Sequence, residues 1–312
     1  MIKIVEAVSA VFCFQGQIFS VIRQNHLDVF PGYNAFPGGK IDDQDLPSRI
    51  ASSFPKLNSV HLSALCREMK EELSFDLEKA FAEDKIISIE PLAEIFAPSF
   101  AQIRFRNWFY RIDLKDPAEF ILDEGEFSAG SWINPPTLLK IFHQGKALMV
   151  PPLRTMLKQL IQDPNLKQMG DLSIHFDDSR EIPELEMLEG VRMLMVPSHT
   201  LPPAERTNAF RLGDPDSPQI LVDSSPKSDE TYLLMLEQMK QENLDALFLT
   251  HHHPDHHQFA PDLARDLQLP ILLSQDSHSR IQQKFGEDYF RGVEIRMITD
   301  GEELTRIFHK SF

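Results

Sequence analysis

The sequence predicts a mixed α/β (α+β) chain of two domains, on three observations. Apolar segments with the two-residue alternation of strands, at 2–14, 17–22, 86–96, 104–114 and 127–133, are interleaved with helical patterns in the first half. A fresh set of strand patterns begins beyond Asp163-Pro164-Asn165. A length of 312 residues, 42% of them hydrophobic, supplies two cores at about 150 residues per domain. The expected division is 1–165 and 166–312.

In chain order, the strands at 2–14 and 17–22 are joined by a turn at Gln15-Gly16. The N-terminal segment reads as a first strand and not as a signal peptide, having one early Lys and no small-residue cleavage site. Gly38-Gly39 then form a loop whose backbone can approach a phosphate closely. A polar stretch, 42–57, leads into a helix at 59–73. On that helix Glu68, Glu71 and Glu72 stand at i, i+3 and i+4, so they share one face, while Leu62, Leu65, Met69 and Leu73 form an apolar stripe. Like charges so placed repel by roughly a few tenths of a kcal/mol per pair. A hard divalent cation with a preference for oxygen ligands offsets that cost. Helices are expected at 137–142 and 153–161, the second with Pro151-Pro152 near its first position.

The segments from Phe36 to Asp45 and from Ala64 to Leu73 together resemble a Nudix box, G-x5-E-x7-R-E-U-x-E-E-x-G-U with U aliphatic. Gly39 matches the Gly, Asp45 stands in for the first Glu, and Arg67-Glu68-Met69-x-Glu71-Glu72 matches the central run. Twenty-one residues separate Asp45 from Arg67 where the pattern has seven, and Ser74 replaces the last Gly. Phe30-Pro31-Gly32 through Phe36-Pro37-Gly38-Gly39, Arg104-Phe105-Arg106-Asn107-Trp108-Phe109, Trp132-Ile133-Asn134-Pro135-Pro136 and Leu148-Met149-Val150-Pro151-Pro152 resemble a branch with a long break in its box. That branch includes coenzyme A diphosphatases.

The resemblance implies an α/β/α sandwich that hydrolyses a diphosphate, with Mg²⁺ or Mn²⁺ held by Glu68, Glu71 and Glu72. A glutamate of the cluster would accept the proton of the attacking water. It further implies that Arg67 orients Glu71 through an i,i+4 ion pair. Gly38 and Gly39, with Arg104 or Arg106, would contact the substrate. Nudix proteins often draw one more acidic ligand from a late loop, and Glu126 and Glu124 are both candidates.

In the second half, strands are expected at 191–196, 208–212, 219–222, 246–249, 269–274 and 293–298, with an amphipathic helix at 229–241. Directly after the strand at 246–249 comes Thr250-His251-His252-His253-Pro254-Asp255-His256-His257. Five histidines so close together are unsuited to a core, whereas neutral imidazoles with a carboxylate at a strand end suit Zn²⁺. The pattern H-x-H-x-D-H resembles the metallo-β-lactamase fold superfamily. Asn208-Ala209-Phe210 and Leu221-Val222-Asp223 match strands that precede the motif in its glyoxalase II and lactamase-β-like branches.

That resemblance implies His251 and His253 as ligands of one metal and Asp255 and His256 of a second. His252 and His257 would face solvent or stand behind the ligands. The later histidine and aspartate ligands of that superfamily have no counterpart, since His278 and His309 lack a His-x-x-Gly-His context. Residues 166–312 are therefore expected to form a partial αββα domain, its first half only. The remainder would be lost by truncation or supplied by a partner, and an exposed apolar sheet face would promote homo-oligomerisation.

The formal net charge is −16. Seventeen basic and 21 acidic residues precede the expected divide, and 14 and 26 follow it, giving −4 and −12. An acidic chain without basic runs argues against nucleic-acid or anionic-membrane partners, and no apolar run is long enough to span a bilayer. Cys13 and Cys66 read as core residues in a reducing, cytoplasmic setting. The expected partner is a small-molecule diphosphate, possible identities being coenzyme A or acyl-CoA. Two alternatives stand beside it: a zinc-dependent hydrolase of esters or thioesters, and a non-catalytic sensor of diphosphate ligands.

Overall fold

A computed structural model describes residues 4–45, 48–101, 104–177, 179–214 and 216–303 of the chain. The chain divides into two units, Met1–His175 and Phe176–Phe312. Residues 166–175 fold with the first unit: Met169 N donates to Leu92 O (2.6 Å) and Phe96 N to Ser173 Oγ (2.8 Å).

Among its described residues, the first unit has a seven-stranded sheet. In chain order its strands are β1 (Ile4–Phe14), β2 (Gln17–Arg23), β3 (Asn34–Ala35), β4 (Gly38–Lys40), β5 (Ile86–Phe96), β6 (Arg104–Leu114) and β7 (Phe127–Ile133). Its helices are α1 (Ser59–Leu73), α2 (Leu77–Ala82), α3 (Pro135–His143) and α4 (Pro151–Gln162).

β1 is central and apolar on both faces. Val8, Ala10 and Phe12 pack with Leu62, Leu65 and Met69 of α1. Val11 and Cys13 pack with Leu138 and Phe142 of α3 and Leu153 and Met156 of α4. Helices therefore cover both faces, as the α/β/α expectation requires.

β1 pairs with β2 only beside the Gln15-Gly16 turn, at Cys13↔Ile18 and Phe14↔Gln17. β2 then diverges to pair with β7, and β4 takes its place along β1 at Ala7↔Lys40, Val8↔Gly39 and Ser9↔Gly38. This fork in the sheet sets Gly38-Gly39 beside α1. The helix starts where Asn58 Oδ1 accepts from Val60 N (2.9 Å) and stops at Ser74, whose φ is +52°. The last Gly of the box is thus replaced by a residue in the left-handed region, where a glycine avoids about 1 kcal/mol of strain.

The second unit also holds a seven-stranded sheet among its described residues, in the order β14-β13-β12-β11-β10-β9-β8. β8 (Glu184–Leu188), β9 (Val191–Pro197) and β10 (Arg206–Leu212) form an antiparallel meander that continues into β11 (Ile220–Val222). β12 (Ala246–Phe248), β13 (Ile271–Leu273) and β14 (Ile295–Met297) run parallel to β11. The connections carry α5 (Asp229–Met239), α6 (Pro254–His257), α7 (Ala260–Leu267) and α8 (Gln275–Phe285).

Leu221, Leu247, Ile271 and Leu273 pack with Met235, Leu263 and Ile281 of these helices. On the opposite face Ile220, Val222, Ala246 and Leu272 are buried, with Phe210, Leu212, Phe248 and Ile298 partly buried around them. His309 lies outside the described residues. No helix of the described residues is long and apolar enough to cross a membrane.

Candidate functional site

The fork in the first sheet brings the glycines against the carboxylates of α1. Gly38 N donates to Glu72 Oε2 at 2.7 Å. A Cβ on Gly39 would stand 2.3 Å from Glu68 Oε1, and one on Gly38, at φ +147°, would stand 2.1 Å from the Val8 carbonyl. Gly38 therefore needs glycine, while a side chain at Gly39 would push the Glu68 carboxylate aside.

Glu68 and Glu72 are buried, whereas the Glu71 side chain is 60% exposed. Burial, reinforced by the charge of Glu68, pushes Glu72 up to about 8 even though the Gly38 N–H opposes it. Burial also raises Glu68, against the pull of Arg67.

Arg67 gathers this cluster. Its Nε and Nη2 donate to Asp45 Oδ1 (2.9 Å) and Oδ2 (3.1 Å), and Nη2 also donates to Lys40 O (2.8 Å). Nη1 donates to Glu68 Oε1 (2.7 Å) and Glu71 Oε2 (3.3 Å). The expected pair with Glu71 is present, but it is longer than the bonds to Asp45 and Glu68. Burial acts to raise the Asp45 pKa, yet the Arg67 hydrogen bonds, the Asp42 N–H and the Arg67 charge together outweigh it and hold it below the usual range.

The insertion is anchored further on. Ser48 Oγ and Arg49 N donate to Glu78 Oε1 at 2.7 and 2.8 Å, and Phe54 packs on Phe81 at 5.0 Å. Leu46 and Pro47 lie outside the described residues.

Arg104 and Arg106 turn to strand neighbours instead of the α1 carboxylates. The Arg106 guanidinium pairs with Glu94 and lies 4.7 Å from the Trp108 ring centre. That of Arg104 lies 4.6 Å from the Phe96 ring centre, with Nη2 donating to Ala97 O at 3.4 Å. Glu126 is better placed than Glu124. Asp123 N donates to Glu72 O (2.8 Å), which docks the acidic turn on α1, and the Glu126 charge contributes to raising the Glu72 pKa. Glu124 contributes a carbonyl that accepts from Gln24 Nε2 at 2.8 Å.

In the second unit the histidines follow the carboxyl end of β12, beside the end of β11, where parallel sheets place ligand sites. Among the described residues, Asp223, His251 and His256 form the group whose donor atoms all lie within 4.8 Å of one another. Asp223 has φ +55° and accepts from Thr250 N (2.8 Å) and Thr250 Oγ1 (2.6 Å), and its Oδ2 lies 3.0 Å from His256 Nδ1. Burial acts against its ionisation, but bonds from His256 and Thr250 outweigh burial and lower its pKa. The same bond raises His256, while burial and then the neighbouring imidazoles of His256 and His253 lower His251.

His253 Nδ1 lies 3.1 Å from His251 Nε2, and Asp255 Oδ2 lies 3.6 Å from His256 Nε2. Both border the group without entering it. The sequence pointed to Asp223 only as the end of a strand. Of the two placements expected for His257 the solvent-facing one does not hold: it is 1% exposed, its Nε2 bonds to His252 O (3.2 Å) and its Nδ1 to the Tyr289 hydroxyl (2.7 Å). Burial pushes its pKa down to about 4. A neutral imidazole with both nitrogens satisfied is a core residue, so the histidine run is split between site and core.

The family described as the metallo-beta-lactamase superfamily matches residues 203–307. None of the curated proteins compared matches the chain. Solved structures similar to it include a NUDIX hydrolase from Alicyclobacillus acidocaldarius, at 18% identity and TM-score 0.43, covering 53% of this chain and 94% of that one. A Mutator MutT protein from Bacillus halodurans is 12% identical over 56% of this chain and 91% of its own, with TM-score 0.38. The NUDIX domain of Shewanella oneidensis NrtR, complexed with ADP ribose, is 19% identical over 45% of this chain and 79% of its own, with TM-score 0.32. In the first unit Gly38, Arg67, Glu68 and Glu72 meet at one strand–helix junction, and the metallo-beta-lactamase superfamily model lies within the second.

Proposed function

We propose that the first unit hydrolyses a diphosphate linkage in a small molecule, a nucleoside diphosphate derivative such as coenzyme A or acyl-CoA. The observation that carries this is the junction itself. Two buried carboxylates, Glu68 and Glu72, stand beside the Gly38-Gly39 backbone; Arg67 also bonds Glu71 and the Glu126 charge acts on Glu72, although among the described residues these carboxylates do not close into a group of three donors within 4.8 Å of one another.

Burial and the Glu68 charge disfavour ionisation of Glu72 more than the Gly38 N–H and the Arg23 charge favour it, an environment that a hard divalent cation would compensate. Glu68, Glu71, Glu72 and Glu126 would hold it. Bound Mg²⁺ or Mn²⁺ supplies charge stabilisation at phosphate oxygens and acidifies water. The chain's own part is to hold that cluster with Arg67, to present the glycine backbone to the phosphates, and to take the proton of the attacking water on a cluster carboxylate.

Phosphate release from coenzyme A, ADP-ribose and nucleoside diphosphate sugars, with Mg²⁺, Mn²⁺ or EDTA, tests this. Glu71→Gln should lower the rate by about 100-fold or more, and His253→Ala should leave it intact. Activity that survives Glu71→Gln combined with Glu72→Gln would sink the proposal. Absence of turnover with retained ligand binding would mark a sensor instead.

A second reading rests on Asp223, His251 and His256, one carboxylate and two imidazoles whose chemistry suits Zn²⁺. It assigns ester or thioester hydrolysis to the second unit. Zinc-dependent thioester cleavage that is lost in His251→Ala would favour it.

A further inference from the structure

Arg23, the last residue of β2, stands at the fork where β2 has left β1 for β7, in register with Phe127. Its position is fixed from several sides. Arg23 N donates to Tyr33 O (2.9 Å), Arg23 O accepts from Gly32 N (3.2 Å), and Nε donates to Val29 O (3.1 Å). That leaves the outer edge of the guanidinium facing the acidic turn. Nη2 lies 3.9 Å from Glu126 Oε2, too far for a hydrogen bond, and the side chain keeps 22% exposure.

Three other arginines of this unit are committed elsewhere. Arg67 is held by Asp45 and Glu68, Arg106 by Glu94, and Arg111 by Asp113 and the carbonyls of Pro164 and Leu166. The positive charge of Arg23 also reaches Glu72, where it opposes the effect of burial. Arg23 therefore shares the electrostatic environment of the carboxylate cluster without being consumed by it.

We propose that Arg23 binds a phosphoryl oxygen of the substrate's diphosphate, opposite the Glu68–Glu72–Glu126 cluster. This rests on the diphosphate reading of the first unit. A diphosphate bears negative charge on both phosphorus centres. A divalent cation among the carboxylates neutralises part of it, and a pre-fixed guanidinium with unsatisfied N–H groups suits the rest.

The test uses the full chain with Mg²⁺ and methylenediphosphonate, which carries a bridged phosphate pair without an organic arm, titrated by calorimetry. Arg23→Gln should weaken binding about tenfold or more, and Arg23→Lys should recover part of the loss. Mn²⁺ affinity without the diphosphonate, read by electron paramagnetic resonance, should be unchanged. For the best substrate of the panel, KM should rise more than kcat falls. Wild-type affinity in Arg23→Gln, or an equal loss of Mn²⁺ affinity, would overturn the assignment while leaving the diphosphatase reading in place. If Arg23→Gln does not fold, Arg23→Lys decides: binding equal to wild type overturns the assignment, and weaker binding supports it. Failure of the wild-type protein to bind or hydrolyse any diphosphate would remove both.

Discussion

Arg67 and Asp45 form a two-point ion pair across the insertion, with Nε–Oδ1 at 2.9 Å and Nη2–Oδ2 at 3.1 Å. The Asp45 side chain is 4% exposed, so this carboxylate is enclosed by its partner. Asp45 thereby serves the cluster at one remove: it holds the guanidinium whose other nitrogen holds Glu68 and Glu71. Asp45→Ala should release Arg67, lower diphosphate hydrolysis about tenfold and cost roughly 1–3 kcal/mol of stability. Asp45→Glu should restore part of both. Urea unfolding alongside kcat measures this, and full activity in Asp45→Ala would show that the clamp is dispensable.

A side chain at Gly39 should be accommodated at the expense of Glu68. An alanine Cβ would lie 2.3 Å from Glu68 Oε1 and must displace that carboxylate. Gly39→Ala should weaken Mn²⁺ binding about tenfold or more, since one ligand is moved out of the cluster. Gly170→Ala is the contrast, because a Cβ there meets nothing within 4 Å and its φ lies outside the left-handed region. Manganese titration of both variants compares them directly.

Metal-free protein should lose stability as pH rises through the range set by Glu72. Its pKa is about 8 in the folded chain against an ordinary 4.5. Below the lower value both states hold the proton and nothing is lost. Between the two, the unfolded chain releases it and the folded chain does not, so stability falls by at most about 1.4 kcal/mol per pH unit. Glu72→Gln should flatten that slope. Urea midpoints in EDTA at several pH values report it, and identical slopes in both proteins would refute it.

His257 should act with the opposite sign. Its pKa is about 4 when folded and 6.5 ordinarily, so its stabilising contribution is complete above 6.5 and is lost as pH falls towards 4. The total loss is up to about 3 kcal/mol. An NMR titration should show an imidazole signal still neutral near pH 5 that vanishes in His257→Gln. Titration of His257 in the ordinary range would contradict its burial.

Much of the scaffold was legible because it is local. The helix at 59–73 and the strands at 86–96, 104–114 and 127–133 have the observed bounds, since side-chain periodicity and Asn58 at the cap encode them within a few neighbouring residues. The short strands β3 and β4 were not legible. They exist only because the diverging β2 leaves β1 open for pairing, a long-range event. α6 was hidden by the same histidine run that advertised a site.

Residue order alone picks out the candidate groups: three glutamates on one helix face, two glycines before them, and a histidine-rich strand end. Their partners emerge only in the folded chain. Asp45 belongs to Arg67, Glu126 and not Glu124 approaches Glu72, Arg23 faces the cluster, Asp223 joins His251 and His256, and His257 is core. The physical reason is that helical spacing fixes neighbours three and four residues apart. The partners of a buried carboxylate, an arginine fork or an imidazole come from elements far away in sequence, and only packing brings those elements together.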